Sequence, residues 1–527
     1  MRKKFLQIFV LICLVVALAL FWGRVGNYPF LHWDDGIYVT SRHSFHQIAN
    51  GNLGAAWDLV SPRSALNGGF WEYLPIRDFS WAIDAWRGNL DPSAFHESNL
   101  FLHLVNVLFV FFLARKFGLN TGYAIGAAAF FGVHPLAVEP VAWVSGRKEI
   151  LYVCFALGAS LCLLQTINRE TESKEGLNRK MKWGWILAAY LLSMLSFGSK
   201  GAGIVIVPLL FLFVMYSGDK TQRKRLWLSF SPLVVFVSVW TLCLVHIGTR
   251  NKILAVLPDG WFGSLFRATG APMRALQSML LPIDLSPSYE KWNYSWWADP
   301  HSWLTLAASL FVLFLWKKGK LIRSDSWLLV GCGILALLPT AGIISANQVR
   351  ADRFLYLALA FFAILGAMGV RWWIGGRRWP ILIGICIPIA FAAQTHRYLN
   401  AWKSDVDLWK YVYLLDPENA LANGSLGALA MEGGHLDLAK NLLDKAAEGA
   451  PNIGVTWVNM GLWWKYKASS EPVSSDPKQV AEYLKNAESA FRKALAMDSS
   501  RWLAHYSLGH IAQHRKNFKR AEKYFRK

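Results

Sequence analysis

Charged residues are scarce in this sequence of 527 residues, of which Asp, Glu, Lys and Arg together make up only 17%. A soluble chain of comparable size carries about 25% charged residues, and here the hydrophobic residues reach 54%. The shortage of charge therefore excludes a purely soluble protein. The 27 Trp and 32 Phe residues exclude a disordered or fibrous chain. We predict that most of the chain lies in a membrane.

Cysteine is also scarce, and its placement excludes two kinds of site. None of the six cysteines shows the spacing of a zinc site, and none stands in a polar loop where a disulfide would hold a soluble fold together. We interpret all six as buried structural thiols, and all lie inside apolar runs: Cys13, Cys154, Cys162, Cys243, Cys332 and Cys386.

Acidic residues are outnumbered by basic ones, 34 against 55, which gives a net charge of +21. The tail at 399–527 carries +4 of this charge and the apolar part before it carries +17. Loop charge that orients membrane helices would account for the excess. A site for an anionic lipid is the second interpretation. Nucleic acid is the weakest, because no soluble basic module is present.

The apolar runs of residues 1–399 predict a polytopic, all-α membrane domain. A helix needs about 20 apolar residues to cross a bilayer. About eleven candidate spans follow, at 5–22, 98–114, 122–133, 150–167, 183–199, 203–216, 226–247, 303–316, 327–345, 354–370 and 379–395.

The basic clusters between these spans predict the orientation. With eleven spans, every cluster falls on the side of the N-terminus, which is then cytoplasmic, in an inner or plasma membrane. The first outward loop, 23–97, and the C-terminal tail face the opposite, periplasmic or extracytoplasmic side. The segment 264–282 is apolar enough to cross, but counting it would place Lys317–Arg323 outside. We therefore interpret it as re-entrant or interfacial.

Residues 400–527 carry a repeated pattern. Pro417 and Pro451 stand 34 residues apart, which is the tetratricopeptide period. We predict about three helix-pair units, with an insertion at 469–480 and small residues at Gly427, Gly461 and Gly509 where paired helices approach closely. The array is either a rigid spacer or a concave surface that binds a polypeptide.

Two adjacent carboxylates, Asp34 and Asp35, follow the first span. Crowded like charges near a membrane surface raise the pKa of one carboxylate, which makes it a candidate general base. A turn or a helix cap is the structural alternative. His96, Asn99, His103 and Asn106 share one face of the second span, where they either join helices or line a substrate cavity.

Basic residues on the outward side suit a phosphate ligand, since guanidinium and ammonium groups bind phosphate oxygens. A carboxylate near them could deprotonate an acceptor while the cations stabilise the leaving phosphate. His134 and Glu139 are too few for a metal site, and no metal is predicted. We predict phosphate binding by Arg147, Lys148, Arg350, Arg353 and Lys200, and a cavity lined by His96, Asn99, His103, His134, Glu139, Glu149, Asp352 and Tyr356.

These motifs resemble those of the transmembrane and tetratricopeptide-repeat O-mannosyltransferases and their bacterial relatives, which are type C membrane glycosyltransferases. The resemblance covers nearly the whole chain, and the loop at 134–149 is its most specific element. The matching stretches are Trp33-Asp34-Asp35, Tyr73-Leu74-Pro75-Ile76, Ala82-Ile83-Asp84, Phe95 to Asn106, His134 to Glu149, Ser199-Lys200 and Ala351 to Tyr356.

The resemblance implies a polyprenyl-phosphate sugar donor and an inverting transfer on the non-cytoplasmic face. It implies that the base is Asp34 or Asp35, with a preference for Asp35. The predicted function is transfer of a sugar to a protein Ser/Thr hydroxyl, with the acceptor presented by the repeats. A glycan or lipid acceptor and a non-enzymatic scaffold for envelope proteins are the alternatives. A monophosphate donor needs a divalent cation less than a pyrophosphate would, so the use of a metal stays open.

Overall fold

The computed structural model describes most of the chain. The described residues are 2–64, 72–167, 179–216, 220–250, 260–289, 295–317, 324–341, 350–374, 379–470, 476–498 and 501–526. The predicted insertion at 469–480 therefore lies partly outside them, as do parts of the predicted basic loops.

The described residues form helices and contain no strand, which confirms the all-α prediction. The chain divides into two compact units, Met1–Pro287 with Lys291–Ser404, and Ser288–Glu290 with Asp405–Lys527. The helices of the first unit are α1 Arg2–Trp22, α2 His43–Ala49, α3 Ala56–Val60, α4 Pro62–Ser64, α5 Pro75–Gly88, α6 Pro92–Lys116, α7 Thr121–Val133, α8 Val138–Ala142, α9 Arg147–Thr166, α10 Arg179–Ser199, α11 Ile206–Tyr216, α12 Lys220–Arg250, α13 Gly260–Thr269, α14 Ala271–Leu280, α15 Pro300–Lys317, α16 Ser324–Leu337, α17 Tyr356–Ile374 and α18 Trp379–Leu399.

Several of these helices can cross a membrane. Five stretches are long and apolar enough within the described residues, and a sixth joins α7 to the turn and helix at Pro135–Ala142 across a 55° bend. Three further apolar helices are shorter than 18 residues. The protein is thus a multi-pass membrane protein. The five stretches are Phe5–Asn27, Pro92–Lys116, Val144–Thr166, Lys220–Ile247 and Asp352–Trp373.

The cysteines correct one prediction. Cys154 and Cys332 are buried and Cys162 is half-buried, whereas three others are exposed on the surfaces of their helices. An apolar run in a membrane helix can face lipid as readily as protein, so the run alone does not establish burial. The exposed thiols are Cys13, Cys243 and Cys386.

Helix α6, the second span, begins and ends at recognisable signals. The Asp91 side chain caps its start by accepting a hydrogen bond from the Ser93 amide (2.8 Å), and Pro92 occupies the first turn. The chain leaves α6 through Gly118, whose φ of +76° favours glycine. The polar residues of α6, from His96 to Asn106, lie in the part of the helix that follows this N-terminal cap.

The described parts of the loop 23–97 fold onto the N-terminal end of α6. Phe45 of α2, Trp81 of α5 and Phe95 of α6 are each fully buried in one apolar cluster, together with Val144 from the loop before α9. Burying such side chains contributes about 1.5–3 kcal/mol each. This cluster fixes the loop 23–64 and α5 beside the segment 134–149, where the sequence motifs concentrate.

The segment 264–282 does not form a single span. It is broken at Gly270 into α13 and α14 of ten residues each, half the length that a crossing requires. Apolar side chains on and around these helices are exposed, including Trp261, Phe262 and Leu281. This pattern agrees with the interfacial interpretation.

The second unit consists of antiparallel helix pairs after a leading helix. Each pair brings a glycine of its first helix against a large apolar side chain of the second: Gly427 meets Leu443, Gly461 meets Phe491 and Gly509 meets Phe525. The helices are α19 Asp405–Leu415, α20 Ala420–Glu432, α21 Leu436–Gly449, α22 Gly454–Ser469, α23 Pro477–Met497, α24 Trp502–His514 and α25 Phe518–Phe525.

We expect Gly461→Ala to destabilise the α22–α23 pair. A Cβ at this position would stand 2.7–2.9 Å from the buried Phe491 ring, and overpacking of this kind costs about 1–3 kcal/mol. Gly424→Ala is the matched control, because its nearest neighbour, the Ala446 Cβ, is 3.6 Å away; there the higher helix propensity of Ala stabilises by about 1 kcal/mol. Hydrogen exchange of the helices in the purified chain measures both. Equal gains in protection would contradict the close packing.

Candidate active site

Asp35 is fully buried and joins two chain segments. Its Oδ1 accepts hydrogen bonds from the amide nitrogen (2.9 Å) and the hydroxyl of Ser145, and its Oδ2 accepts one from the amide nitrogen of Leu31 (3.1 Å). Burial raises the pKa of Asp35 to about 7, although these donors oppose the shift. A carboxylate whose two oxygens both accept hydrogen bonds from protein donors is suited to holding the chain around Asp35 against the segment that carries Ser145.

Asp34 is half-buried, and its environment differs from that of its neighbour. Within the described part of the chain its carboxylate has no hydrogen bond or ion pair. Burial raises its pKa and the charge of Glu72 raises it further, while Lys148 and Arg353 lower it. Asp34 therefore faces charged groups without being tied to one of them, as a base must be if it is to accept a proton from a substrate.

Stacked indole rings place Asp34 beside the segment that carries Lys148. The Trp33 ring stacks on that of Trp143, with the ring centroids 4.7 Å apart and the planes nearly parallel. Such pairs contribute about 0.5–1.5 kcal/mol beyond the area that they bury. Together with the Asp35–Ser145 hydrogen bonds, the stack fixes the start of the first outward loop against the loop before α9.

Glu72 connects two of the cations near Asp34. One of its oxygens, Oε2, accepts from Lys148 Nζ (3.1 Å) and from Arg77 Nη1 (3.0 Å). The guanidinium of Arg77 also lies over the Tyr38 ring, 4.8 Å from its centroid, and Lys148 Nζ is 5.8 Å from the same centroid. Despite burial, Lys148 and Arg77 lower the pKa of Glu72 to about 2, so the carboxylate stays ionised. The Glu72 side chain is 28% exposed, whereas that of Arg77 is fully buried.

Arg353 and Lys200 converge on two buried glutamates. Arg353 pairs with Glu139 through both its guanidinium and its amide nitrogen, and its Nε is 3.8 Å from a Glu149 oxygen. Lys200 Nζ donates to both oxygens of Glu149 at 2.6 Å. The guanidinium of Arg353 lies over the Trp143 ring, 5.3 Å from its centroid. Three predicted site segments, around 139–149, at 200 and at 353, therefore meet.

Arg147 does not take the role that the sequence predicted for it. Its guanidinium is buried and donates to Asp84 Oδ2 (2.6 Å), to the Phe95 carbonyl (2.7 Å) and to the side chains of Asn99 and Ser80. These partners occupy the guanidinium from several sides. Arg147 thus holds α5 and α6 against α9, while its neighbour Lys148 turns towards Glu72.

The predicted cavity face of α6 joins helices instead. Asn99 donates to the Trp143 carbonyl (2.9 Å), and His103 Nδ1 is 2.6 Å from the Tyr356 hydroxyl. Asn106 donates to the Ile150 carbonyl (3.2 Å). His96 is buried beside the Tyr28 ring. The prediction that these residues line a cavity is corrected, because a stripe on one helix face can bond equally well to the carbonyls of neighbouring helices.

His134 also serves the fold. Its Nδ1 accepts from the Leu136 amide (3.1 Å) and its Nε2 lies 3.0 Å from the Met279 carbonyl, so the ring caps the turn after α7. Glu139 and Glu149 are fully buried in their ion pairs with Arg353 and Lys200. In the described part of the chain, all three side chains are fully buried among protein groups.

Arg350 and Asp352 lie in a different place from Arg353. Both line an open cleft of about 50 Å³ between α14, the end of α16 and the segment before α17. Asp352 accepts a hydrogen bond from the Ser286 amide (3.0 Å). Arg350 and Arg353, which were predicted to bind the same phosphate, therefore lie in different places.

Sequence reasoning missed Glu72, Arg77 and Asp84 as members of the site. Each is distant in sequence from its partner: Asp84 pairs with an arginine 63 residues later, and Glu72 with a lysine 76 residues later. The available signal was the pair of matching stretches at 73–76 and 82–84, which border or contain these residues.

The cluster can carry out proton transfer beside a bound anion. It combines Asp34, whose carboxylate has no hydrogen bond or ion pair among the described residues, with cations that are held by the carboxylates of Glu72, Glu139 and Glu149. Among the residues that the structure describes, no group of three or more His, Cys, Asp or Glu could hold a metal ion. The chemistry that these residues supply is general-base catalysis and electrostatic stabilisation of a leaving group.

The chain is similar in sequence to several protein O-mannosyl-transferases. It is 22% identical to protein O-mannosyl-transferase F38B6.6 of Caenorhabditis elegans over 392 residues, which cover 69% of this chain and 51% of that protein. It is 24% identical to protein O-mannosyl-transferase TMTC4 of Homo sapiens over 463 residues, covering 76% and 59%. The chain thus spans about half the length of the curated relatives it matches. The resemblance found in the motifs is confirmed.

Two solved structures are also similar, and no protein-family model matches the sequence. ArnT from Cupriavidus metallidurans in the apo state aligns with a TM-score of 0.44 and 15% identity, covering 92% of this chain and 85% of ArnT. The Archaeoglobus fulgidus oligosaccharyltransferase in the apo form aligns with a TM-score of 0.44 and 13% identity, covering 75% and 56%.

Proposed function

We propose that this chain, whose curated relatives are protein O-mannosyl-transferases, is a membrane glycosyltransferase. It transfers a sugar, mannose in the simplest extension from these relatives, from a polyprenyl-phosphate donor to a Ser or Thr hydroxyl of a protein. The observation that carries the proposal is Asp34, a carboxylate without a hydrogen bond or ion pair in the described structure beside Lys148 and Arg353.

In the proposed reaction, Asp34 accepts the proton of the acceptor hydroxyl. The hydroxyl oxygen forms a bond to the anomeric carbon on the face opposite to the phosphate, and the bond from that carbon to the phosphate oxygen breaks. The polyprenyl phosphate leaves with the electron pair, and the sugar is inverted. Asp35 takes no proton in this scheme; it positions Asp34 through its bonds to Ser145 and Leu31.

The phosphate is held by the cations that surround Asp34. Arg353, Lys148 and Lys200 keep their charges in place through the carboxylates Glu139, Glu72 and Glu149, so they do not reorganise when charge develops on the leaving oxygen. Arg147 is excluded from this set because its guanidinium already donates to four protein groups.

The reaction takes place on the non-cytoplasmic face, with the N-terminus in the cytoplasm and the repeats outside. The basic clusters between the spans support this orientation. The helix pairs of the second unit bind the acceptor polypeptide. Intact-mass analysis of envelope proteins from cells with and without the gene tests the proposal: loss of a hexose-sized increment is expected. Unchanged masses with lost protein complexes would favour the scaffold, and an unchanged protein with an altered glycan or lipid would favour another acceptor.

We expect Glu72→Gln to shift the pH dependence of transfer. The negative charge of Glu72 raises the pKa of Asp34, and its removal also leaves the positive charges of Lys148 and Arg77 less compensated. Both effects lower the pKa of Asp34, so the acid limb of the kcat/KM profile moves to lower pH. Glu97→Gln, which removes an exposed partner of Arg87, is the control and leaves the limb in place. A limb that stays unchanged in Glu72→Gln would show that Asp34 is not the titrating base.

A further inference from the structure

The cleft lined by Arg350 lies outside the cluster around Asp34. Its walls come from α14, the end of α16 and the segment before α17, and Arg353 is not among its lining residues in the described part of the chain. Two guanidiniums, those of Arg274 and Arg350, line it together with apolar side chains such as Leu337 and Phe354. A cleft of this composition suits a ligand that is part anion and part hydrocarbon.

Arg274 is held in the cleft by a built network. Its Nη1 donates to Asp299 Oδ2 (2.8 Å) and its Nη2 donates to the Arg267 carbonyl (2.5 Å), while the Ser302 hydroxyl donates to the same Asp299 oxygen (2.6 Å). Gly270 leaves the space for this network, because a Cβ there would stand 2.5–2.8 Å from the Arg274, Asp299 and Ser302 side chains. The orientation of the Arg274 guanidinium is therefore fixed before a ligand binds.

Arg350 lies close to the same network. Burial lowers the pKa of His301, and the charges of Arg274 and Arg350 lower it further although Asp299 opposes them. His301 Nε2 lies 2.7 Å from Gln277 Oε1 of α14. Arg274 and Arg350 thus both lie near the His301 ring, beside Asp299, which pairs with Arg274.

The segments that flank α14 and α15 expose large apolar side chains. Exposed fractions reach 72% for Phe262, 66% for Ile283 and 61% for Trp297. Exposed Trp and Phe side chains beside short amphipathic helices are typical of the membrane–water interface, where lipid head groups lie. The ligand that meets this cleft from the surrounding medium is therefore a membrane lipid.

We infer that this cleft binds the phosphate head group of an anionic bilayer phospholipid, with Arg274 and Arg350 contacting the phosphate and the apolar walls contacting the start of the acyl chains. The site differs from the proposed donor site in residues and in position. Because Asp352 and Phe354 line the cleft and flank Arg353, the bound lipid supports the segment that presents Arg353 to the Asp34 cluster.

The test uses the full chain in nanodiscs of phosphatidylcholine with a photoreactive phosphatidylglycerol. Cross-links are expected on α14 or on residues 350–355. Arg350→Gln is expected to lower the cross-linked fraction about tenfold, since a charge-assisted hydrogen bond contributes about 1.5–3 kcal/mol. Arg371→Gln, which removes an exposed guanidinium from the other end of the same span, is the matched control and leaves the fraction unchanged.

Other results would overturn the inference. Cross-links confined to other helices, or an unchanged cross-linking yield in Arg350→Gln, would show that the lipid does not bind in this cleft. If inorganic phosphate displaces the photoreactive lipid at the same concentration as unlabelled phosphatidylglycerol does, the apolar walls do not contribute to binding. Selective displacement by undecaprenyl phosphate would assign the cleft to the donor. Asp34→Asn separates this inference from the proposed function, because it abolishes transfer and leaves the cross-linking intact.

Discussion

Replacing Asp34 by Asn is expected to lower the rate of sugar transfer by about 10²–10⁴-fold, the usual contribution of a positioned general base. The amide cannot accept the hydroxyl proton, and no hydrogen bond of Asp34 in the described structure is lost by the change. The folded state should therefore keep its stability. The measurement is transfer from a synthetic polyprenyl-phosphate mannose to an acceptor peptide, at saturating concentrations of both.

The neighbouring substitution is the control. Asp35→Asn replaces an acceptor of three protein hydrogen bonds by a group with one acceptor oxygen and two donor hydrogens. We expect a loss of thermal stability, with a cost of about 1–3 kcal/mol for a buried donor left unsatisfied. Full activity of Asp34→Asn, together with loss of activity in a stable Asp35→Asn, would reverse the two roles.

Breaking the pair between Glu139 and Arg353 is expected to have the second large effect. Removing one partner of a buried ion pair costs about 3–5 kcal/mol, because the other charge is left without compensation. Both side chains are buried, and Glu139 also accepts from the Arg353 amide (3.0 Å). Glu139→Gln should therefore lower the unfolding temperature and, by releasing the guanidinium, lower transfer activity.

The double variant Glu139→Gln/Arg353→Gln separates the two effects. Replacing both charges restores part of the stability, since no unpaired charge remains, but the phosphate still lacks one of its cations. We expect a coupling energy of about 0.5–3 kcal/mol in the stability cycle and no recovery of activity. Recovery of both properties would show that Arg353 serves the fold alone. Thermal unfolding and the KM for the donor provide the two measurements.

The sequence was sufficient for features that depend on local pattern. Apolar runs predicted helices that cross the membrane, and the 34-residue spacing of Pro417 and Pro451 predicted helix pairs whose close contacts fall at the expected glycines. The segment 264–282 was predicted not to be an ordinary span, because a further span would have moved a basic cluster across the membrane, and it forms two short helices. The repeat period and the uneven distribution of basic residues between the spans can both be read from a single sequence, because neither depends on which distant residues come into contact.

Partner choice could not be predicted in the same way. Asp34 and Asp35 are adjacent and identical in type, and the long-range partner that distinguishes Asp35 is Ser145, 110 residues later. Arg147 and Lys148 are also adjacent, yet one pairs with Asp84 and the other with Glu72. The polar face of α6 was ambiguous because its partners are mostly backbone carbonyls, which every residue type supplies.

The charges around Asp34 have a consequence for turnover. Four cations, Arg77, Lys148, Lys200 and Arg353, accompany four carboxylates, Asp34, Glu72, Glu139 and Glu149. A phosphodiester donor adds one negative charge; the proposed reaction neutralises Asp34 and converts the diester into a dianionic monoester. The total charge of the occupied site is then the same before and after transfer, and only its location changes. The step is an internal displacement of one unit of charge from carboxylate to phosphate, and the proton taken from the hydroxyl stays on Asp34 at the end of the step.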